Sequence, residues 1–348
     1  MIEVRNLVKK YGSHLAVDHL DFKIESGRIY GFLGPNGAGK STTMNIMTGY
    51  LGATEGEVLI DGHDILKEPE EAKKHIGYLP EQPPLYVDMS VREYLEFAAE
   101  LKGIPKAKRE EEITEIEKMV RIKDVEHRLI KNLSKGYRQR VGLAQAVLGF
   151  PEIIILDEPS VGLDPKQIIE IRELIRKLAK KHTVILSSHI LAEVREVCDY
   201  ILIISKGKLV ASDTPENLEK MFGEHNSVEI ETDASPSEIR LILKNVPGIE
   251  MIETQEKGDG VTWAKITEKK GEDIREQIFM AFSFAKTPLL TLKETGMTLE
   301  DVFMELTQSD TVPEALAKKG GWVEVQTADS KSNSQEQGEE VQENAGDL

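Results

Sequence analysis

The chain has 348 residues, with 44 Lys and Arg against 61 Asp and Glu, a net charge of −17. Such a length suggests two domains, each large enough to bury a core. The acidic balance argues against nucleic-acid binding as the main business, since phosphate contact needs clustered cations, and the single cysteine, Cys198, excludes a disulfide framework or a multi-cysteine metal site.

Residues 1–222 alternate short apolar runs with helical patterns. Strand-like runs stand at Arg28–Leu33, Glu57–Ile60, Ile76–Leu79, Ile153–Leu156, Thr183–Ser187 and Ile201–Ile204. The runs IIIL and ILII are apolar at consecutive positions, as in strands covered on both faces. They predict a central parallel sheet flanked by helices, an α/β class. Between Leu79 and Ile153 lies a helical insert, placed at 86–132. Ser90 and Glu93 form a capping box that opens VREYLEFAAEL, and a second helix is predicted around Ala107–Val120. Most of its apolar residues (Tyr86, Val87, Met89, Tyr94, Leu95, Phe97) are expected in its core; Cys198, outside the insert in the helical stretch ILAEVREVCD, is expected to have a plain core role.

Residues 226–308 read as a second, α+β domain. Strand Ser227–Glu231, helix Pro236–Lys244, strands Ile249–Thr254 and Val261–Thr267 joined by a turn at Lys257–Gly260, helix Glu272–Phe284 and strand Leu289–Leu292 follow the β-α-β-β-α-β order of a ferredoxin-like sandwich. A closing helix, Leu299–Thr307, takes Thr298 as its cap. No chemical motif marks this domain. Residues 309–348 carry nine acids and three lysines and few bulky apolar residues, which predicts an acidic disordered tail, with Trp322 its one feature suited to docking. No apolar run approaches the ~18 residues of a membrane span, and MIEVRNLVKKYG lacks a signal-peptide core, so the expectation is an intracellular protein.

The sharpest signal is Gly34-Pro35-Asn36-Gly37-Ala38-Gly39-Lys40-Ser41-Thr42, which matches G-x-x-x-x-G-K-[ST] between the strand RIYGFL and the helical STTMNIMTGY. Glycines let the backbone N–H groups curl around an anion, and the helix N-terminus adds positive partial charge. Lys40 suits the β- and γ-phosphates of a nucleoside triphosphate, and the Ser41 hydroxyl suits Mg²⁺. Farther on, the apolar strand Ile153–Leu156 ends in Asp157 and Glu158. An acid at that strand end can hold Mg²⁺ directly or through water, the role assigned to Asp157. Glu158 can polarise an attacking water as a general base.

With these motifs in this order, residues 1–222 resemble an ABC-type ATPase, the nucleotide-binding subunit of an ABC transporter. Leu133-Ser134-Lys135-Gly136-Tyr137-Arg138-Gln139-Arg140 resembles the family's signature, Ser160-Val161-Gly162-Leu163-Asp164 its D-loop, and Ser187-Ser188-His189 its switch histidine. Tyr11 stands where the family stacks an aromatic ring on adenine. The resemblance implies that Ser134 and Gly136 form a second anion nest, which meets ATP held by another subunit. Two subunits then pair head to tail around two ATP molecules, with His189 near the γ-phosphate and the attacking water. It also implies that the insert docks a coupling helix of a separate membrane permease. The chain would then lie peripherally on the cytoplasmic face of the membrane.

Two departures stand out. Lys135 and Tyr137 replace Gly and Gln of the common signature, while Ser134 and Gly136 remain. At the Q-loop, Gly77-Tyr78-Leu79-Pro80 is followed by Glu81 and then Gln82, where the family usually has Gln directly; Glu81 fits by position and Gln82 by chemistry. The closing LEDVFMELT resembles the ends of many bacterial export-type ATPases. The leading expectation is therefore an ATP-hydrolysing subunit, using ATP and Mg²⁺, that powers a separate export permease. The alternatives are a regulatory nucleotide-binding module with weak hydrolysis, which the Q-loop departure keeps open, and a soluble mechanical ATPase. The last is disfavoured: the 94 residues from Lys40 to Ser134 hold no sustained heptads for a coiled coil, and the chain carries one ATPase unit.

Overall fold

The structure, a computed structural model, describes residues 1–222, 227–258, 260–269, 273–295 and 298–308. The acidic stretch 309–348, with Trp322, lies outside the described residues. In chain order, β1 (Ile2–Tyr11), β2 (His14–Ile24), β3 (Ile29–Leu33) and α1 (Lys40–Met47) open the fold. Next come β4 (Glu55–Ile60), β5 (His63–Asp64), α2 (Pro69–Lys74) and β6 (Ile76–Leu79). Helices α3 (Val91–Leu101) and α4 (Lys106–Met119) form the insert, and α5 (Lys135–Val147) leads back to β7 (Ile153–Asp157). The first block ends with α6 (Pro165–Leu178), β8 (Thr183–Ser188), α7 (Leu191–Val197), β9 (Tyr200–Ser205), β10 (Lys208–Asp213) and α8 (Pro215–Phe222).

The central sheet runs β10-β9-β3-β8-β7-β6. Its strands are parallel except β10, which pairs antiparallel with β9 at one edge. Strands β3, β7, β8 and β9 are buried along their whole length, as consecutive apolar residues require when helices cover both faces. The register sets Leu33 beside Ser188 and Asp157 beside Ser187. Three functional loops thus leave the same carboxyl edge side by side, where ligands bind in such sheets.

A second, antiparallel sheet, β2-β1-β4-β5, packs its inner residues Ile2, Val4, Leu7, Leu20 and Phe22 against Phe32, Met44 and Met47. The sequence reading marked only the part of it at Glu57–Ile60. Strands β1 and β2 escaped because register shifts break β1's alternation after Val4 and again after Leu7, with Asn6 in the left-handed region at φ 47°. In the insert the Ser90–Glu93 capping box is formed: Ser90 N donates to Glu93 Oε2 at 2.8 Å, and Glu93 N donates to Ser90 Oγ at 3.3 Å. Tyr94 and Leu95 are buried, whereas Tyr86 and Val87 are exposed.

The third sheet holds β11 (Ser227–Thr232), β12 (Ile249–Gly258), β13 (Val261–Glu268) and β14 (Leu289–Thr295) in the order β12-β13-β11-β14, all antiparallel. With α9 (Pro236–Leu243) and α10 (Arg275–Phe284), this is the strand order of a ferredoxin-like sandwich. Its core joins Val228, Ile230 and Ile266 to Ile239, Ile278 and Phe282. The closing helix α11 (Leu299–Gln308) behaves differently from its sequence grouping with 226–308. Its Leu299, Val302 and Leu306 enter the hydrophobic cluster of the first block, together with Val210 and Leu218. Their i, i+3, i+7 spacing makes one apolar stripe, and that stripe is buried only by returning to the first block. Asp301, off that stripe, lies 3.9 Å from Lys265 of β13.

Candidate active site

Strand β3 runs straight into the phosphate loop, and the loop's shape forces its glycines. A Cβ on Gly34 would sit 2.3 Å from the Ile204 carbonyl, and one on Gly39 2.5 Å from the Ala16 carbonyl. Gly39 is also in a left-handed conformation, φ 106°, that L side chains rarely adopt, and it begins α1 with no side-chain cap. The first N–H groups of α1 are thereby left for an external anion. Lys40 folds back beneath the loop, its Nζ donating to the carbonyls of Gly34 at 2.6 Å and Pro35 at 3.2 Å. Burial pushes its ammonium below the usual lysine pKa, while Glu158 and Asp157 pull it back up.

These residues wall a cleft of about 420 Å³ lined by Tyr11, Asn36 to Thr42, Glu81, Glu158 and His189, with His14, Ala16 and Val161 completing it. His14 and Ala16 belong to none of the sequence motifs, and Val161 belongs to the D-loop. His14 was within reach of a sequence reading, because Gly12 closes a tight hairpin that sets His14 across from Tyr11. Tyr11 stands at the rim, about half exposed, with Lys9 Nζ 5.3 Å from its ring centre. The open ring face suits stacking on a planar base.

Of the acids that end β7, Glu158 lines this cleft and Asp157 stands beside it. Asp157 is buried, and its Oδ1 accepts from Ser187 Oγ at 2.5 Å. Glu158 occupies the left-handed region at φ 49°, a strained position for a carboxylate residue. Its N–H donates to Ser187 Oγ at 2.9 Å, and its Oε2 lies 2.8 Å from His189 Nδ1. Asp157 shares a neighbouring cleft of about 640 Å³ with Ser41, Asn45, Tyr78, Glu81 and Gln82. Ser41 and Asp157 thus offer a hydroxyl and a carboxylate to one cleft, an oxygen donor set that fits Mg²⁺. Glu81 lines both clefts, whereas Gln82 lines only the second.

The signature residues lie elsewhere. Ser134 and Gly136 line neither cleft, nor does Asp164. Ser134 caps α5, accepting from Tyr137 N at 3.4 Å. Asp164 caps α6, accepting from Gln167 N at 2.9 Å. The Gln167 side chain in turn presses on Gly136, where an added Cβ would stand 2.6 Å from its Oε1. Signature and D-loop therefore form one packed unit. Tyr137 donates to Asp124 Oδ2 at 2.9 Å, and Lys135 reaches over Gly162.

Comparison with known proteins agrees with this geometry. Residues 17–161 match the family model described as ABC transporter. The Bacillus subtilis ABC transporter ATP-binding protein YhcH is 36% identical over 310 residues, 88% of this chain and 96% of that protein. The chain belongs to the ATP-binding proteins of ABC transporters. Within this family, the bacitracin transport ATP-binding protein BcrA of Bacillus licheniformis is 40% identical over 222 residues, 63% of this chain and 72% of the relative. Among solved structures, the ATP-binding subunit of an ABC transporter matches with a TM-score of 0.59 at 30% identity, covering 64% of this chain and 93% of that one. A dimeric ATP-binding cassette in a post-hydrolysis state, bound to ADP and Pi, matches with a TM-score of 0.57 at 27% identity over 62% of this chain and 98% of that one. Among the described residues no helix is long and apolar enough to cross a membrane.

Proposed function

We propose that the chain hydrolyses ATP to power a separate export permease in the membrane, working as a head-to-tail pair with a second ATPase subunit. The observation that carries this reading is the Glu158–His189 pair, 2.8 Å apart, lining the same cleft as the phosphate loop. A hydrolytic site needs an anion cradle, a base and a group that holds the attacking water, and one cleft gathers all three.

In this reading the α1 N-terminus and Lys40 bind the β- and γ-phosphates, and Tyr11 stacks on adenine. Glu158 takes the proton of the attacking water, while His189 orients that water and contacts the γ-phosphate. Ser41 and Asp157 would hold Mg²⁺, which would supply charge neutralisation on the triphosphate. Glu81 rather than Gln82 is the Q-loop residue, because it alone of the two reaches the nucleotide cleft. Ser134, Gly136 and Asp164 serve the partner subunit's nucleotide, which accounts for signature residues that line neither cleft beside the phosphate loop. The relatives' transport names and the dimeric cassette support the permease and the pairing. A peripheral place on the cytoplasmic face follows from the permease. Exposed Tyr86 and Val87 belong to the docking surface of the insert.

Glu158→Gln tests the reading. It keeps the side chain's shape and removes the base. ATP should drive this variant into a stable dimer on size exclusion, with turnover down by about 10²-fold or more. Turnover at the parental rate would overturn the base assignment, and a strictly monomeric ATP-loaded variant would overturn the pairing.

A further inference from the structure

Two serines in succession end β8, and side chains alternate across a strand, so they serve opposite sides. Ser187 holds Asp157 and the Glu158 N–H, as described. Ser188 turns the other way: its Oγ donates to Glu193 Oε2 at 3.3 Å and accepts from Ile190 N at 3.0 Å. The same Glu193 oxygen accepts from Ser160 Oγ at 2.5 Å.

Glu193 is only 6% exposed. A buried carboxylate is costly unless it is hydrogen-bonded and paired. The cation facing it is Arg172, whose Nη2 stands 3.9 Å from Oε1. Packing does not call for an acid at this point of α7, since Val194 and Val197 supply the buried apolar contacts of that helix. What the acid does is join two loops. Ser160 lies two residues beyond Glu158, and Ser188 directly precedes His189.

The strained backbone of Glu158 gives the junction its purpose. A residue at φ 49° holds that shape only where its surroundings over-determine it. Here Ser187 grips the N–H of Glu158 on one side, and Glu193 grips Ser160 on the other. We propose that Glu193 is a positioning residue for ATP hydrolysis: one carboxylate oxygen ties the loop after Glu158 to the loop carrying His189 and fixes the spacing of that pair. The inference rests on the roles given above to Glu158 and His189. It involves no proton transfer and no bond formed or broken at Glu193.

Both serine bonds end on the same oxygen, so an amide oxygen in that place can accept both. The purified protein is assayed with Glu193→Gln, Glu193→Ala, Ser160→Ala/Ser188→Ala and the triple Ala variant, following kcat, KM for ATP and the melting temperature. Glu193→Ala should lower kcat about tenfold or more while KM stays within about twofold, since misplacing a reacting pair acts on the chemical step. Glu193→Gln should recover most of that loss. The serine pair should reproduce the defect, and the triple variant should add little to it. A normal kcat in Glu193→Ala, a Gln variant no better than the Ala variant, or full additivity in the triple would each overturn the inference. Should Glu193→Ala fail to fold, the serine variants and Glu193→Gln decide alone. Glu158→Gln keeps the two readings apart. If it turns over like the parent while Glu193→Ala is impaired, the base assignment falls and the tether stands; the reverse pattern removes the tether only.

Discussion

Two helix starts in this molecule are suited to an anion, and they are built differently. At α1 the chain reaches Gly39 in a left-handed turn, and no side chain caps the helix. The surrounding walls, from Tyr11 to His189, all come from the same chain. At α5, Ser134 caps the helix through a long 3.4 Å bond, and the first turn carries no acid. Yet Ser134 and Gly136 line neither of the two clefts beside the phosphate loop. The first nest opens into a cleft that this chain lines. The second is equally well held, through Gly136 and Gln167, but faces outward. Exposed Ser134 would meet a partner's nucleotide in the proposed head-to-tail pair.

That contrast breaks most easily at the first nest. Lys40→Ala removes the ammonium that Gly34 and Pro35 hold in place, and ATP affinity should fall about 100-fold, since several charge-assisted phosphate contacts go at once. Calorimetry with ATP checks this, and unchanged affinity would mean that the cradle binds nothing through Lys40. Ser134→Arg, by contrast, should leave the affinity of the single subunit intact and reduce hydrolysis. The two defects should then complement. In a mixture of the two variants, half the pairs are mixed and each has one intact composite site, so roughly a quarter of parental activity should return. No recovery on mixing would show that both nests act within one chain.

The same contrast explains what was legible in the sequence. The placement of the phosphate loop, the strand-end acids and His189 is legible because each is a short local pattern following a strand that ends at the same sheet edge. Their convergence needed only the rule that parallel strands place ligands at their carboxyl ends. The ferredoxin-like order was readable from period and turns. Strands β1 and β2 were not, because bulges put their alternation out of phase. The destination of α11 was not either: an apolar stripe says that a helix is buried, not against what. Glu193 is the clearest case. Its two hydroxyl partners stand 33 and 5 positions away, and only the sheet register brings them to one oxygen. That Glu81 lines both clefts and Gln82 only one is likewise a fact of three-dimensional shape, outside the reach of sequence spacing.

The burial of α11 can be measured directly. Val302 is fully buried where the helix meets the first block. Val302→Ala should cost about 1–3 kcal/mol, lowering the melting temperature of the ATPase block by a few degrees. Separate transitions for the two blocks, with only the C-terminal one shifted, would place α11 with the sandwich instead.

The smallest expected effect returns to the second nest. Tyr137 stands where the common signature has Gln, and it anchors the start of α5 by donating to Asp124 Oδ2 at 2.9 Å. That bond holds the phenol proton and raises its pKa above the ordinary tyrosine value of 10.0. The sign follows from linkage. Folded and unfolded chains both keep the proton well below pH 10, so the stabilisation is fully present there. As pH rises past about 10 the unfolded chain loses its proton first, and stability drains away through the folded value. Tyr137→Phe should therefore cost about 0.5–1 kcal/mol at neutral pH and flatten that alkaline slope, with hydrolysis changed by less than about twofold. A large loss of hydrolysis at unchanged stability would instead make the Tyr137 hydroxyl part of the nest that meets the partner's nucleotide.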